Sequence, residues 1–234
     1  MVDCIELMSI FEVFYQPGKL FESLKDRRGA WILPLILNIL LAMGAGILLI
    51  QLVGMQTIVR QRLETMHLSP EQMEAAMARS TSPAQAYSGY LGAALGVPVI
   101  LLIISGMLAL FAAISNKQPK FATMFSMVAL AWLPYALISG LMTTLVIIAS
   151  PDRTTLDFTN LLATNPAAFM DKTTTSNALY SLLGSFDLLS FGEVGMLSYG
   201  FSKVTKSGLG SGLFAVGMIW ILYIFAKMGV SVLF

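Results

Sequence analysis

The sequence predicts an all-α fold: a polytopic membrane helix bundle of five transmembrane helices, with short amphipathic helices at the N-terminus and in the outer loops. Three observations lead to this fold class. Five long apolar stretches follow residue 30, only 12% of the residues are charged, and 56% are hydrophobic. Soluble domains carry about a quarter charged residues, so half of the usual charged surface is missing here. A mean hydropathy of +0.77 is consistent with a chain that lipid covers.

The five apolar stretches have the length of membrane-crossing helices. The first, 31–53, contains no charged residue, and about 20 such residues at ~1.5 Å rise each cross the hydrocarbon core of a bilayer. The others are 87–114, 121–149, 179–203 and 208–234. We therefore predict a membrane domain at 31–234 with two outer loops, 54–86 and 150–178. A cytoplasmic N-terminal segment, 1–30, precedes it.

The N-terminal segment has the rhythm of an amphipathic helix. Apolar residues recur at spacings of three and four from Ile5 to Tyr15, and Pro17 is typical of the first position of a second short helix. Packing of this segment on the loops and burial in the bilayer interface are equally favoured. The residues predicted to lie at the interface are Phe11, Phe14 and Phe21.

The first span is predicted to remain as a signal anchor, because acidic residues precede it and it is too long for the apolar core of a cleaved signal peptide. Lysine and arginine are concentrated in the short inner segments, which hold eight against five in the longer outer loops. The inner eight are Lys19, Lys25, Arg27, Arg28, Lys117, Lys120, Lys203 and Lys206. The outer five are Arg60, Arg62, Arg79, Arg153 and Lys172. The positive-inside rule then predicts a multi-pass protein of the cell inner (cytoplasmic) membrane with the N-terminus inside and the C-terminus outside.

Both outer loops contain helix-start signals and are predicted to form ordered caps. Ser69 and Gln72 have the spacing of a capping box around Pro70. Ser82–Pro83 is predicted to begin the second span, and Asn165–Pro166 another helix.

Residues for catalysis are scarce. The chain has one histidine, His67, and one cysteine, Cys4, so neither a His-based zinc site, a thiolate metal site nor a disulfide within the chain is available. The phosphate-loop sequence with its lysine is missing, and a net charge of +1 does not favour nucleic-acid binding. We therefore predict no enzyme activity, no catalytic residue, no cofactor or metal site and no nucleic-acid partner.

Three ionisable residues fall inside the last two predicted spans: Asp187, Glu193 and Lys227. Charge within a bilayer is costly and marks a functional site by default. Both carboxylates and Lys227 are predicted to lie in the outer half of the membrane, where Lys227 can pair with either of them. An ion or proton site is one interpretation, and a charge pair that fixes helix register is the favoured one.

Prolines and glycines mark positions of helix bending and close packing. Pro98 and Pro134 each remove a backbone hydrogen bond inside a span and are predicted to kink it. Small residues four apart allow close helix contact, and contact within the bundle is favoured over dimerisation. The glycines concerned are Gly92, Gly96, Gly208 and Gly212.

The chain resembles the Yip (Ypt-interacting protein) membrane family in its prokaryotic form, over nearly its whole length. The matching stretches are Pro-Gly-Lys-Leu-Phe at 17–21, Lys-Phe at 120–121 with Ala-Leu-Ala-Trp-Leu-Pro at 129–134, Ser-Phe-Asp-Leu-Leu at 185–189, and Gly-Phe-Ser-Lys at 200–203. The acidic N-terminal region and the Asp-Leu-Tyr-Gly-Pro motif of the eukaryotic, GTPase-binding members are missing, so GTPase binding is not carried over.

The resemblance implies an accessory or scaffold role and assigns no catalytic residue. We expect a non-enzymatic membrane adaptor, accessory to a transport or export system, whose partners are the lipid bilayer and a membrane protein such as an ABC-type exporter. Self-association as a homo-oligomer is compatible with this role. The alternative is a small transporter or channel that uses Asp187, Glu193 and Lys227.

Overall fold

A computed structural model describes residues 4–27, 29–64, 69–80, 83–158, 160–171 and 174–233. Over these residues the regular structure is entirely helical, which confirms the predicted all-α class. Three short 3-10 helices lie at Leu24–Asp26, Arg153–Thr155 and Pro166–Phe169. The α-helices are α1 (Cys4–Tyr15), α2 (Pro17–Ser23), α3 (Ile32–Val53), α4 (Met55–Glu64), α5 (Pro70–Ser80), α6 (Pro83–Ile114), α7 (Phe121–Ala149), α8 (Asn177–Leu183), α9 (Leu188–Thr205) and α10 (Leu209–Leu233).

Four of the described helices are long and apolar enough to cross a membrane, which indicates a multi-pass membrane protein. They are Ile32–Val53, Ala94–Ile114, Phe121–Ala149 and Leu209–Ser231. These correspond to the first, second, third and fifth predicted spans. The count of five spans is not confirmed, because α9 is not among the four.

The predicted fourth span, 179–203, differs most from the structure, which divides it into α8 and α9. The cause is Asp187, whose Oδ1 accepts hydrogen bonds from Leu189 N at 2.9 Å and Ser190 N at 3.0 Å. An aspartate that satisfies the free N–H groups at a helix start is an N-cap, so a new helix begins at Leu188. Only 18 residues remain in α9, among them the charged Glu193 and Lys203.

The helices α3, α7 and α10 begin at one end of the bundle, which we call the basic end. Here the Trp31 and Phe125 rings lie 5.7 Å apart at the starts of α3 and α7. A short turn, 115–120, leads from α6 into α7, and 206–208 leads from α9 into α10. The described cations of this end are Lys19, Lys25, Arg27, Lys117, Lys120, Lys203 and Lys206. We call the opposite end, with the two long connections, the loop end.

The first half of α7 lies at the centre, packed against α3, α6 and α9, and its residues from Thr123 to Ala131 are buried. A polar residue joins α3 to α7 in addition to their apolar contacts. Asn38 Nδ2 donates hydrogen bonds to the carbonyl oxygens of Pro34 at 2.9 Å and Ala129 at 2.8 Å. The amide group thus joins the two helices at a site that is shielded from water and lipid.

At the loop end, several of the predicted helix starts are present. Ser69 N donates to Gln72 Oε1 at 3.1 Å and Gln72 N donates to Ser69 Oγ at 3.3 Å, which confirms the capping box. Helix α6 begins at Pro83, and the start predicted at Pro166 is a 3-10 helix. Sequence predictions that involve Arg28, His67, Ser82 and Lys172 lie outside the described residues.

Hydrogen bonds tie the two long connections to the bundle. Arg153 Nη1 donates to the carbonyl oxygen of Leu52 at 2.6 Å, at the C-terminal end of α3. Gln61 Nε2 in α4 donates to the carbonyl oxygen of Leu156 at 2.7 Å. The second connection is therefore bonded to the end of α3 and to α4 of the first connection.

Candidate functional site: the docked N-terminal segment and its cavity

The N-terminal segment (residues 4–27) is packed onto α7 and α9 at the basic end. Its apolar residues Val13, Leu20 and Leu24 are buried in the same core as the first half of α7. Phe21 is only 1% exposed, so its predicted place at the bilayer interface is wrong. The physical reason is that the bundle offers Phe21 an apolar pocket, which removes its ring from water more completely than an interface does.

Two glycines allow the close approach of the segment. A Cβ atom at Gly200 would lie 2.7 Å from Met127 Sδ and 3.2 Å from Phe21 Cε2, so a larger residue there would force these side chains to shift. A Cβ atom at Gly18 would lie 2.5 Å from the hydroxyl of Tyr199. A glycine in each helix thus favours the close contact between α2 and α9.

An ion pair joins the same two helices at their water-facing edge. Lys203 Nζ lies 2.8 Å from Glu22 Oε1 and 5.5 Å from the centre of the Tyr199 ring. The hydrogen bond and charge of Lys203 lower the pKa of Glu22 below its ordinary value of 4.5. The pair therefore persists at neutral pH and is lost only as the pH falls through the lowered pKa of Glu22. Its exposure makes it a minor source of stability.

The opposite face of α1 is aromatic and uncovered. Phe11 is 62% exposed, Phe14 46% and Tyr15 63%, and their spacing places them on one side of the helix. We call these three residues the aromatic face. The exposure of Phe11 and Phe14 is compatible with their predicted interfacial position.

A cavity of about 400 Å³ lies between the N-terminal segment and the adjacent ends of α7 and α9. Its charged lining is Lys25, Lys203, Lys206 and Glu22, and its hydroxyl groups belong to Thr123 and Ser207. We call it the basic cavity. Sequence reasoning did not find it, because its lining comes from three separate parts of the chain; the only signal was the run of lysines beside the spans.

The structure does not form the predicted ion pair between Lys227 and a carboxylate. Lys227 Nζ donates instead to Ser185 Oγ at 3.2 Å, and no described ion pair joins it to Asp187 or Glu193. The break before α9 presents Ser185 to Lys227, whereas the Asp187 carboxylate caps α9 and accepts a further hydrogen bond from the Ser190 hydroxyl. The three residues therefore form no described ion pair with one another.

Glu193 differs from the other two ionisable groups. It makes neither a hydrogen bond nor an ion pair with a described residue. The groups that interact with it electrostatically are Asp187, Tyr135 of α7 and Tyr223 of α10. It is thus a carboxyl group that lacks a described hydrogen-bond or ion-pair partner.

The two prolines predicted to kink their helices and the four glycines predicted to form close contacts lie in α6 and α7 and at the start of α10. Pro98 lies inside α6 and Pro134 inside α7, and each helix continues past its proline. A Cβ atom at Gly212 would overlap the Ser198 carbonyl oxygen, so α9 and α10 touch there. The prediction of close contact within the bundle fails at Gly92, Gly96 and Gly208, where an added Cβ would meet no described atom within 4 Å. Gly92 and Gly96 lie within α6, whereas Gly208 lies in the turn just before α10.

The chain matches no protein-family model, and no curated protein or solved structure is significantly similar to it. A functional interpretation therefore depends on the geometry of the docked segment, the aromatic face and the basic cavity.

Proposed function

We propose that this chain is a non-enzymatic integral membrane adaptor whose docked N-terminal segment presents the aromatic face to a membrane-protein partner. The proposal is based on the difference in burial between the two sides of the segment. Its inner side is buried on α7 and α9, while Phe11, Phe14 and Tyr15 remain uncovered. Large aromatic side chains held on a rigid support are typical anchors of protein interfaces. The resemblance to the Yip family points to the same accessory role, beside a transport or export system such as an ABC-type exporter.

The proposed topology has five crossings with the N-terminus inside. Helix α7 ends at the loop end and α10 begins at the basic end, so the chain must return between them, and α9 makes this return. Its 18 residues span about 27 Å, close to the thickness of a hydrocarbon core. The lysines of the basic end favour the cytoplasmic side.

The adaptor proposal is tested with the double variant Phe11→Ala and Phe14→Ala in the full-length protein. Both side chains are exposed, so we expect insertion and thermal stability to be retained. Two interface anchors each contribute about 1 kcal/mol or more, so affinity for the partner should fall about 30-fold or more, and recovery of the partner should fall with it. The measurement is quantitative mass spectrometry of proteins that copurify from native membranes in mild detergent.

The matched control is Leu222→Ala with Phe225→Ala, which removes two exposed apolar side chains of α10. It should leave partner recovery unchanged. A protein that purifies without a stoichiometric partner, or a partner recovered equally with both double variants, would contradict the adaptor function.

A second candidate, a small transporter or channel, is favoured by the environment of Glu193. An ionisable group inside a membrane domain that lacks a described partner is a functional-site hypothesis by default. If the carboxyl group carries ions or protons, Glu193→Gln should abolish flux in liposomes at unchanged stability. If the carboxyl group only contributes to packing, the variant should change stability and leave flux unchanged.

A further inference from the structure

We propose that the basic cavity binds a phosphate group, carried by an anionic phospholipid headgroup or by a soluble phosphate compound. The proposal does not depend on the adaptor function, because it needs no partner protein. It is carried by the charge, the polar lining and the position of the cavity.

The charge of the lining is strongly positive. Three lysines face one glutamate, and only Lys203 makes a short ion pair, with Glu22 at 2.8 Å. Lys25 lies 3.9 Å from Asp26 with both side chains mostly exposed, which is too loose to neutralise it. Lys206 makes no ion pair with a described residue. Two ammonium groups therefore remain available to an anion.

The polar lining suits phosphate oxygens. The hydroxyl group of Thr123 lines the cavity beside the lysines, and hydroxyl and ammonium groups are hydrogen-bond donors to such oxygens. The Ser207 hydroxyl also belongs to the lining, but it donates to Thr205 Oγ1 at 2.8 Å, because the Thr205 hydroxyl itself donates to the Phe201 carbonyl oxygen. Lys206 adopts the left-handed backbone conformation, with a φ of 52°, at the end of α9. Lys206 and the residue that follows it, Ser207, both belong to the lining. A volume of about 400 Å³ lies in the range of small-ligand sites.

The position of the cavity matches the depth of lipid headgroups. Thr123 lies in the first turn of α7 and Val204 in the last turn of α9, so the cavity opens where the apolar helices end. Val204, which is half-buried, is the apolar side chain of the lining against which the upper part of an acyl chain can pack. The geometry thus favours the lipid source of the phosphate group.

The test uses the full-length protein in a neutral detergent and the double variant Lys25→Gln and Lys206→Gln. Lys203 is left in place, because its pair with Glu22 helps to hold the N-terminal segment. Native mass spectrometry measures the binding of phosphatidylglycerol, phosphatidylcholine and inorganic phosphate. Each lysine near an anionic lipid contributes about 1 kcal/mol, so phosphatidylglycerol affinity should fall roughly 30-fold in the double variant.

The matched control is Lys117→Gln, which removes a charge from the same end but outside the cavity lining. It should change the affinity little, and the charge-preserving Lys206→Arg should retain it. Phosphatidylglycerol binding with weak phosphate and phosphatidylcholine binding supports a lipid source, and comparable binding of inorganic phosphate supports a soluble one. Equal affinity of the double variant and the Lys117 control, or failure of wild-type protein to bind either phosphate probe, would overturn the proposal.

Discussion

Replacing Gly212 by alanine is expected to lower the free energy of unfolding by about 3 kcal/mol, the upper end of the usual cost of overpacking. The added Cβ would overlap the carbonyl oxygen of Ser198 and approach its carbonyl carbon at 2.9 Å. Both atoms belong to the backbone of α9, so no side chain can turn away, and α9 and α10 must separate. The loss is measured by reversible unfolding in mixed detergent micelles, followed by tryptophan fluorescence.

Gly217→Ala is the matched control, since it lies on the same helix and an added Cβ there meets no described atom within 4 Å. Alanine has a better helix propensity than glycine, so this variant should gain up to about 1 kcal/mol. The two substitutions are chemically identical and are expected to have opposite signs. Equal effects would show that α9 and α10 do not pack as described.

Replacing Phe21 by alanine is expected to release the N-terminal segment from the bundle. Truncation of a buried phenylalanine costs about 3–5 kcal/mol in a well-packed site, and Phe21 is 1% exposed, with its ring beside Gly200. Because Phe21 lies on the segment's side of the shared core and the long helices also pack directly against one another, the membrane domain should stay folded. Hydrogen–deuterium exchange should rise strongly in α2 and change little in α7.

Phe14→Ala serves as the control for this variant, because its ring is 46% exposed and lies outside the shared core. Its exchange in α2 should remain close to that of the wild type. A Phe21→Ala protein with unaltered exchange in α2 would mean that the segment is held by other contacts.

Local signals in the sequence were enough to predict most of the helices. The uncharged stretch 31–53 became α3 nearly unchanged, 121–149 became α7, and Pro17 opens α2. The capping box at Ser69 also formed. Each of these depends on hydropathy or on backbone groups within a few residues, which a single sequence displays directly.

The errors concern contacts between distant parts of the chain. Amphipathic spacing identifies Phe21 as apolar, but its burial depends on Gly200, far along the sequence. The basic cavity likewise combines α2, α7 and the end of α9. Asp187 is a different case: its position before Leu188-Leu189-Ser190 is that of an N-cap, yet the apolar residues on either side favoured one continuous span.

The docking of the N-terminal segment at the basic end is the central claim, and cysteine cross-linking in native membranes with a short bifunctional thiol reagent, which bridges the space left by the two long native side chains, tests it most directly. Cys4 is first replaced by serine, and then Glu22→Cys is combined with Lys203→Cys, whose native side chains meet at 2.8 Å. The control combines Glu22→Cys with Lys227→Cys, 18 positions along α10 from its start at Leu209 and about 27 Å from the basic end. Mass spectrometry of the linked peptides should show efficient cross-linking between positions 22 and 203 and almost none in the control. Equally weak cross-linking of both pairs would contradict the docking of the segment. It would also contradict the described positions of the aromatic face and the basic cavity, because both depend on that docking.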